Sequence, residues 1–365
     1  MGFGLPRLED FNKCPFLHFV RYGLCAQPRK ERTMRATDKG TFRHAVLEAY
    51  VRYIMDNDID WRDIDDERTF AILREIVPPI MTAEGSGVLY DTARQRAELV
   101  GMIESIKITC CVLTRQIAAG SFRPAGCEVS FGRKESPFPP LVIETPSGAS
   151  FRISGVIDRI DSFENANGDS LSRIIDYKSG GKDFKFGHLA AGLQLQLPLY
   201  AAAIEAARTV GMFYMPVMDV SPTTLEEGDA ERLLTDELIK EFRLNGICLR
   251  DEEVVAATDD FEKTSAVIKA KRSKDGELSG SGFVDPDEYG MVIETARRRA
   301  AASLERIMEG DFDARPFINA VNKKECACTY CDYKDICRFD AELSKGGYRK
   351  VYQMSADSFF GRVKE

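Results

Sequence analysis

The chain is poor in several things that would mark common functional classes. Only three histidines and one tryptophan occur in 365 residues. With so few imidazoles, any metal site has to lean on carboxylates or thiols. No apolar run is long enough to cross a bilayer, and the first residues carry no signal-peptide pattern. There is no Gly-x-x-x-x-Gly-Lys-Ser/Thr, so no ATP phosphate loop is recognisable. Internal repeats and low-complexity tracts are missing as well. Positive charge is not in excess: the formal net charge is −8. That argues against wholesale coating of nucleic acid but leaves room for a local basic groove.

Cysteine, by contrast, is plentiful. Ten without a secretion signal point to a reducing, cytoplasmic setting. Cys110, Cys111, Cys127 and Cys248 lie in apolar stretches and read as small buried hydrophobes. Cys326, Cys328, Cys331 and Cys337 fall within twelve residues. Cys328-x-x-Cys331-x5-Cys337 favours zinc or an iron–sulfur cluster, and the spacing does not decide between them. Cys326 completes a local set of four; Cys14 is the alternative fourth ligand.

Helical patterns cover residues 8–24, 42–55, 62–82 (ending at Pro78-Pro79) and 91–119. Asp38 or Thr41 is the expected cap of the second. His44, Leu47, Glu48 and Val51 share one stripe of it. Period-two strands then follow at 127–131 and 141–144, joined by a proline-containing turn. The stretch 192–208 is alanine-rich and helical, with Pro198 in its first turn or at a kink. Residues 210–217 form a further strand. Residues 223–280 are polar and resemble an insertion, and 286–308 form a helix with Arg297-Arg298-Arg299. The order implies an α/β core with a mixed sheet.

The most informative stretch is a hairpin. Ser154 to Asp161 and Arg173 to Lys178 read as strands around a turn at 165–169. Asp158 shares a face with Ile160, and Asp176 and Lys178 share one with Ile174. A carboxylate among apolar strand residues is costly unless a cation compensates it. Two such carboxylates can hold Mg²⁺ or Mn²⁺, with Lys178 orienting water or neutralising charge. His44 could add a ligand, supported by Glu48. A two-residue Asn167-Gly168 turn would put Asp158 opposite Tyr177 and the two aspartates on opposite faces. A shared site therefore requires a three- or five-residue loop or a bulge. Arg152, Arg159, Lys182 and Lys185 are candidate guides for an anionic strand. His18 and His188 have no neighbours that suggest chemistry.

Gly155-x-Ile157-Asp158, Asp176-Tyr177-Lys178, Gln196-Leu197-Pro198-Leu199-Tyr200 and Gly40-Thr41-Phe42-Arg43-His44 together resemble the RecB-type branch of the PD-(D/E)xK nucleases. Asn12-Lys13-Cys14-Pro15-Phe16 with Cys328 to Cys337 resembles the iron–sulfur staple of the AddB family of helicase–nuclease subunits. The segment 245–254 resembles an insertion of that family. The resemblance implies a restriction-endonuclease-like α/β core at about 36–220, an insertion at about 223–280, a staple from 8–24 and 320–340, and a tail at 346–365, the first 345 residues forming one nuclease domain. It implies His44, Asp158 and Asp176 as Mg²⁺ or Mn²⁺ ligands, Lys178 as catalytic lysine, and Gln196 and Tyr200 at the DNA. It also implies Cys14, Cys328, Cys331 and Cys337 as ligands of a [4Fe–4S] cluster, leaving Cys326 spare. The implied activity is hydrolysis of DNA at broken ends by metal-activated water, with exonuclease action on single strands. The implied setting is a bacterial, nucleoid-associated one with an AddA-type helicase partner. In that family a helicase-like region precedes this domain, so helicase activity is not carried over. Stand-alone CRISPR-associated exonucleases with the same motifs, and a non-catalytic DNA-end-binding scaffold, are the alternatives.

Overall fold

The structure, a computed structural model, describes residues 3–27, 33–83, 90–218, 236–280, 282–344 and 347–364. A mixed sheet runs through its centre. The strands are β1 (Phe3–Gly4), β2 (Arg123–Phe131), β3 (Leu141–Glu144), β4 (Ser150–Glu164), β5 (Ser170–Ser179), β6 (Thr209–Val217) and β7 (Asn245–Leu249). β4 is long enough to serve as the spine. Its first half takes β3 antiparallel and β1 parallel, β2 pairs along it, and its second half pairs with β5. β5 and β6 are parallel, which demands a crossover connection. Helices α6 (Phe186–Ala190) and α7 (Gln196–Ala203) supply it. The first five helices are α1 (Leu5–Lys13), α2 (Pro15–His18), α3 (Ala36–Asp56), α4 (Asp66–Thr82) and α5 (Ala93–Ala119).

Helices cover both faces of the sheet. Phe42, Val46 and Tyr50 of α3 and Ile106 and Leu113 of α5 pack with Ile175, Tyr177 and Phe213 from one face. Leu197, Leu199 and Tyr200 of α7, with Val292 and Ala296 of the helix Pro286–Met308, pack with Ile160, Ile174 and Met212 from the other. Alternation along β4 and β5 thus sorts even-numbered residues from 160 and 174 onward to the α7 side and odd-numbered ones to the α3 side.

Several local readings shift. The N-terminal helix breaks at Cys14, whose backbone is extended (φ −165°, ψ 122°), because the residue before a proline is pushed out of the helical region. Asp38 does not cap α3 from outside: it is the third helical residue, and its carboxylate accepts the Arg35 backbone N–H at 2.9 Å. α4 runs through Pro78-Pro79 to Thr82, whose hydroxyl donates to both proline carbonyls at 3.2 Å. β2 and β3 pair with β4 and not with each other. Within 223–280, residues 223–235 lie outside the described residues, whereas β7 pairs antiparallel with β6 and so extends the central sheet. In the C-terminal stretch, Phe359 and Phe360 of the helix Ala356–Lys364 are buried against Phe186.

Candidate metal-dependent active site

The β4–β5 hairpin closes through a five-residue loop, since Glu164 pairs with Ser170. The Asn165 side-chain oxygen accepts the backbone N–H of Asn167 at 3.0 Å and of Asp169 at 2.8 Å, and Gly168 takes φ +80°. An Asx turn plus one left-handed glycine is what this loop needs. The resulting register sets Arg159 opposite Ile175. One step further, where the ladder ends, Asp158 comes opposite Asp176. There the Asp158 carboxylate accepts the Tyr177 backbone N–H at 2.7 Å. The site lies where the strands part, so helices from both faces reach it.

From α3, His44 places Nδ1 3.3 Å from Asp158 Oδ2, with its ring edge-on to Tyr177. From β2, Glu128 lies across from Asp158, between the paired residues Cys127–Arg159 and Val129–Ile157. Ligand atoms of His44, Glu128 and Asp158 all fall within 4.8 Å of one another. Asp176 is fully buried and ion-paired with Lys178. From α7, the Gln196 side-chain amide donates to the Tyr200 hydroxyl at 2.8 Å. Tyr200 stacks edge-on against Phe131. A side chain at Gly155 would meet the Phe131 ring at 2.7 Å and Tyr200 at 3.3 Å, which explains the glycine in Gly155-x-Ile157-Asp158.

Electrostatics at the site favour an added cation. Burial, then the charge of Asp158, push Asp176 up to about 6 although Lys178 opposes this. Burial, then Asp158 and Glu48, push Glu128 up to about 7. Burial works against a charged His44, but Asp158 and Asp176 outweigh it and raise its pKa. For Lys178, burial is likewise outweighed by Asp176, so the amine is held charged. Glu128, Asp158 and Asp176 thus crowd one half-buried place, opposed by Lys178, more weakly by Lys182, and by His44 when protonated. Crowded carboxylates take up protons or a cation.

The structure thus brings His44, Asp158, Asp176, Lys178, Gln196 and Tyr200 to one place. Glu48 accepts from Arg52 Nε at 2.8 Å and lies close enough to Glu128 to help raise its pKa. Arg159 cannot guide a strand, because it is 1% exposed and paired with Asp161 on the opposite face. Lys185 is paired with Glu325 at 3.0 Å. Lys182 lies over the Tyr214 ring at 4.7 Å, and Arg152 is exposed. His18 accepts from Arg7 and His188 faces Glu325. Sequence reasoning misses Glu128. Its signal is the one that marks Asp158, a carboxylate between apolar strand residues. What sets it apart is its left-handed backbone (φ +48°), which the sequence does not announce.

A second constellation lies at the chain ends. Cys14, Cys328, Cys331 and Cys337 line one cavity of about 180 Å³, together with Phe16, Leu17 and Tyr348. Four thiols around one apolar cavity fit the donor set of a four-cysteine cluster. Cys326 does not line it; its sulfur accepts the Cys328 backbone N–H at 3.3 Å. Burial raises the pKa of Cys14 and pushes Cys328 up to about 12, so both thiols need a metal to ionise near neutrality.

Comparison with known proteins agrees with this geometry. The family model of the PD-(D/E)XK nuclease superfamily matches residues 5–338. The chain is 31% identical over 367 residues to an ATP-dependent helicase/deoxyribonuclease subunit of Clostridium acetobutylicum, covering 98% of this chain and 31% of the relative. It is 32% identical over 358 residues to the protein of the same name from Clostridium novyi (95% and 31%). A third, from Symbiobacterium thermophilum, is 31% identical over 369 residues (98% and 31%). The chain spans about a third of the length of these curated relatives.

Proposed function

Because the chain belongs to the PD-(D/E)XK nuclease superfamily, we propose that it hydrolyses DNA phosphodiesters with Mg²⁺ or Mn²⁺ at the end of the β4–β5 hairpin. The observation that carries this reading is the convergence of His44, Glu128 and Asp158 within 4.8 Å beside the buried Asp176–Lys178 pair. His44, Glu128, Asp158 and Asp176 would hold the ion. When bound, the ion lowers the pKa of a water and offsets charge on the phosphate. Lys178, held charged by Asp176, orients the attacking water and neutralises the phosphoryl oxygen as charge grows there. Gln196 and Tyr200, tied by their hydrogen bond, hold the strand on the α7 side. Cys14, Cys328, Cys331 and Cys337 would carry a [4Fe–4S] cluster that pins the staple shut.

The relatives' names, which join a helicase and a deoxyribonuclease, support DNA as the substrate and a helicase as partner; action on single strands from their ends, in break repair, is part of the proposal. Among the described residues no helix is long and apolar enough to cross a membrane. The test is degradation of end-labelled single-stranded DNA by anaerobically purified protein, with and without Mn²⁺. Metal-dependent shortening that Asp176→Ala abolishes is expected. Equal activity in Asp176→Ala, or binding without cleavage under all metals, would replace this reading with a DNA-end-binding scaffold.

A further inference from the structure

Glu9 is a buried carboxylate, 8% exposed, on a helix that belongs to the staple and not to the catalytic hairpin. Its Oε1 accepts the backbone N–H of Leu195 at 2.9 Å and of Gln196 at 3.1 Å. These are among the first amides of α7, which have no partner within their own helix. Leu195, at the cap position, has no side-chain oxygen to offer, and α7 has no side-chain cap of its own. The cap therefore comes from a residue 186 positions earlier in the chain. Anionic charge at a helix N-terminus is favourable, and here it acts where Gln196 begins the Gln-x-x-x-Tyr pair.

The same helix leads straight to the cysteine cavity. α1 ends at Lys13, and the next residue, Cys14, caps it by donating its backbone N–H to the Asp10 carbonyl. From Glu9 to Cys14 the rise is about 7–8 Å at 1.5 Å per residue. α1 is fixed on its other sides too. Asn12 donates to Ser303 Oγ at 2.8 Å, Arg349 donates to the Asn12 carbonyl, and Asp10 accepts from Arg21 at 2.7 Å. Gly192 lies so close to Asn12 that a side chain there would come within 2.6 Å of its amide nitrogen. α1 is thus a strut with the cysteine cavity at one end and the start of α7 along its side.

Resting on the nuclease reading above, we propose that Glu9 is a positioning residue: it fixes the N-terminus of α7, hence Gln196 and Tyr200, and makes their placement depend on the staple. Glu9→Ala removes the acceptor, while Glu9→Gln keeps an acceptor oxygen and removes the charge. Both are compared with wild type by hydrogen–deuterium exchange of the segment 193–200, by cluster absorbance, and by kcat and KM on end-labelled single-stranded DNA with saturating Mn²⁺. Glu9→Ala is expected to speed exchange in 193–200 at least tenfold. It should lower kcat about 30-fold, with KM, near-ultraviolet dichroism and cluster absorbance retained. Glu9→Gln should stay within a few-fold of wild type. Cys14→Ser in the wild-type background should speed exchange in the same segment, with no further increase in Glu9→Ala. Unchanged exchange in Glu9→Ala overturns the proposal. So does loss of the cluster or of the dichroism, which would make Glu9 merely structural, and so does an equal kcat loss in Glu9→Gln, which would make its charge the active feature. Exchange is read without turnover. An inactive wild type with the expected exchange pattern would therefore sink the nuclease reading and leave the coupling standing.

Discussion

The two faces of the β4–β5 hairpin are built from the same residue types and do opposite things. On the α3 side, Asp161 is fully buried and its Oδ2 accepts from Arg159 Nη2 at 3.2 Å and from Arg173 Nε at 2.9 Å. Arg159 also donates to the Tyr177 hydroxyl at 3.1 Å, and Arg173 lies over the Phe122 ring at 4.4 Å. Two guanidinium groups thus share one carboxylate. One residue along each strand, where the strands part, Asp176 pairs with Lys178 while Asp158 and Glu128 crowd it, with His44 and, farther off, Lys182 as the other cations. The first face uses its charges to hold two strands in register. The second crowds its carboxylates at the point where the strands part. The same hairpin is structural on one side and chemically poised on the other.

The comparison can be broken from either side. Asp176→Ala should lower Mn²⁺-dependent hydrolysis of single-stranded DNA about 10³-fold, near 4 kcal/mol of barrier. Its melting temperature in the absence of metal should fall less than that of Asp161→Ala, since relief of a crowded carboxylate offsets the unpairing of Lys178. A destabilised but active variant would reverse the roles assigned to the two faces. Asp161→Ala should do the converse: two buried guanidinium groups lose their counter-charge, at a cost of about 3–5 kcal/mol in stability. Denaturant unfolding measures it, and a change below about 1 kcal/mol would show that the ion network is not what holds the hairpin.

Glu128→Gln sharpens the count of ligands. It should weaken Mn²⁺ binding about tenfold, or about 1.4 kcal/mol, read by calorimetry, while leaving the fold intact; unchanged affinity would remove Glu128 from the site. A smaller effect follows from pH. Asp176 and Glu128 titrate in the folded protein near 6 and 7, above their ordinary values. In the metal-free protein, protonation of these groups stabilises the fold, and that contribution is lost as pH rises through 6 to 7. Bound Mn²⁺ needs the deprotonated forms. The gain in melting temperature on adding Mn²⁺ should therefore be larger at about pH 8 than at about pH 5.5, and an equal gain at both would contradict the assignment.

Much of this contrast is legible in the sequence. The Ile- and Val-rich strands expose Asp158 and Asp176 as anomalies, and the turn residues at 165–169 carry the loop length that brings them together. The cysteines at 326–337 mark a candidate ligand set by type and spacing, but the preference for Cys14 over Cys326 as the fourth member comes from the family resemblance alone. What stays hidden depends on contacts distant in the chain or on backbone geometry. Arg159 looks like a surface cation until Asp161 and Arg173 surround it. Glu128 needs a left-handed residue inside a strand. Glu9 meets α7 across most of the fold. β7, within a polar stretch, joins the sheet because β6 offers it an edge, and Phe359 and Phe360 pack only because Phe186 is there to receive them.

The most direct test of the account is uptake of Mn²⁺, followed by paramagnetic resonance near neutral pH, in anaerobically purified wild type and Asp158→Asn. Wild type is expected to bind Mn²⁺ at the hairpin, with the free-ion signal suppressed until the site fills. Asp158→Asn, with the fold unchanged, should leave the free-ion signal rising from the first addition. Identical uptake by the two proteins would contradict the claim that the crowded face of the hairpin is the metal site.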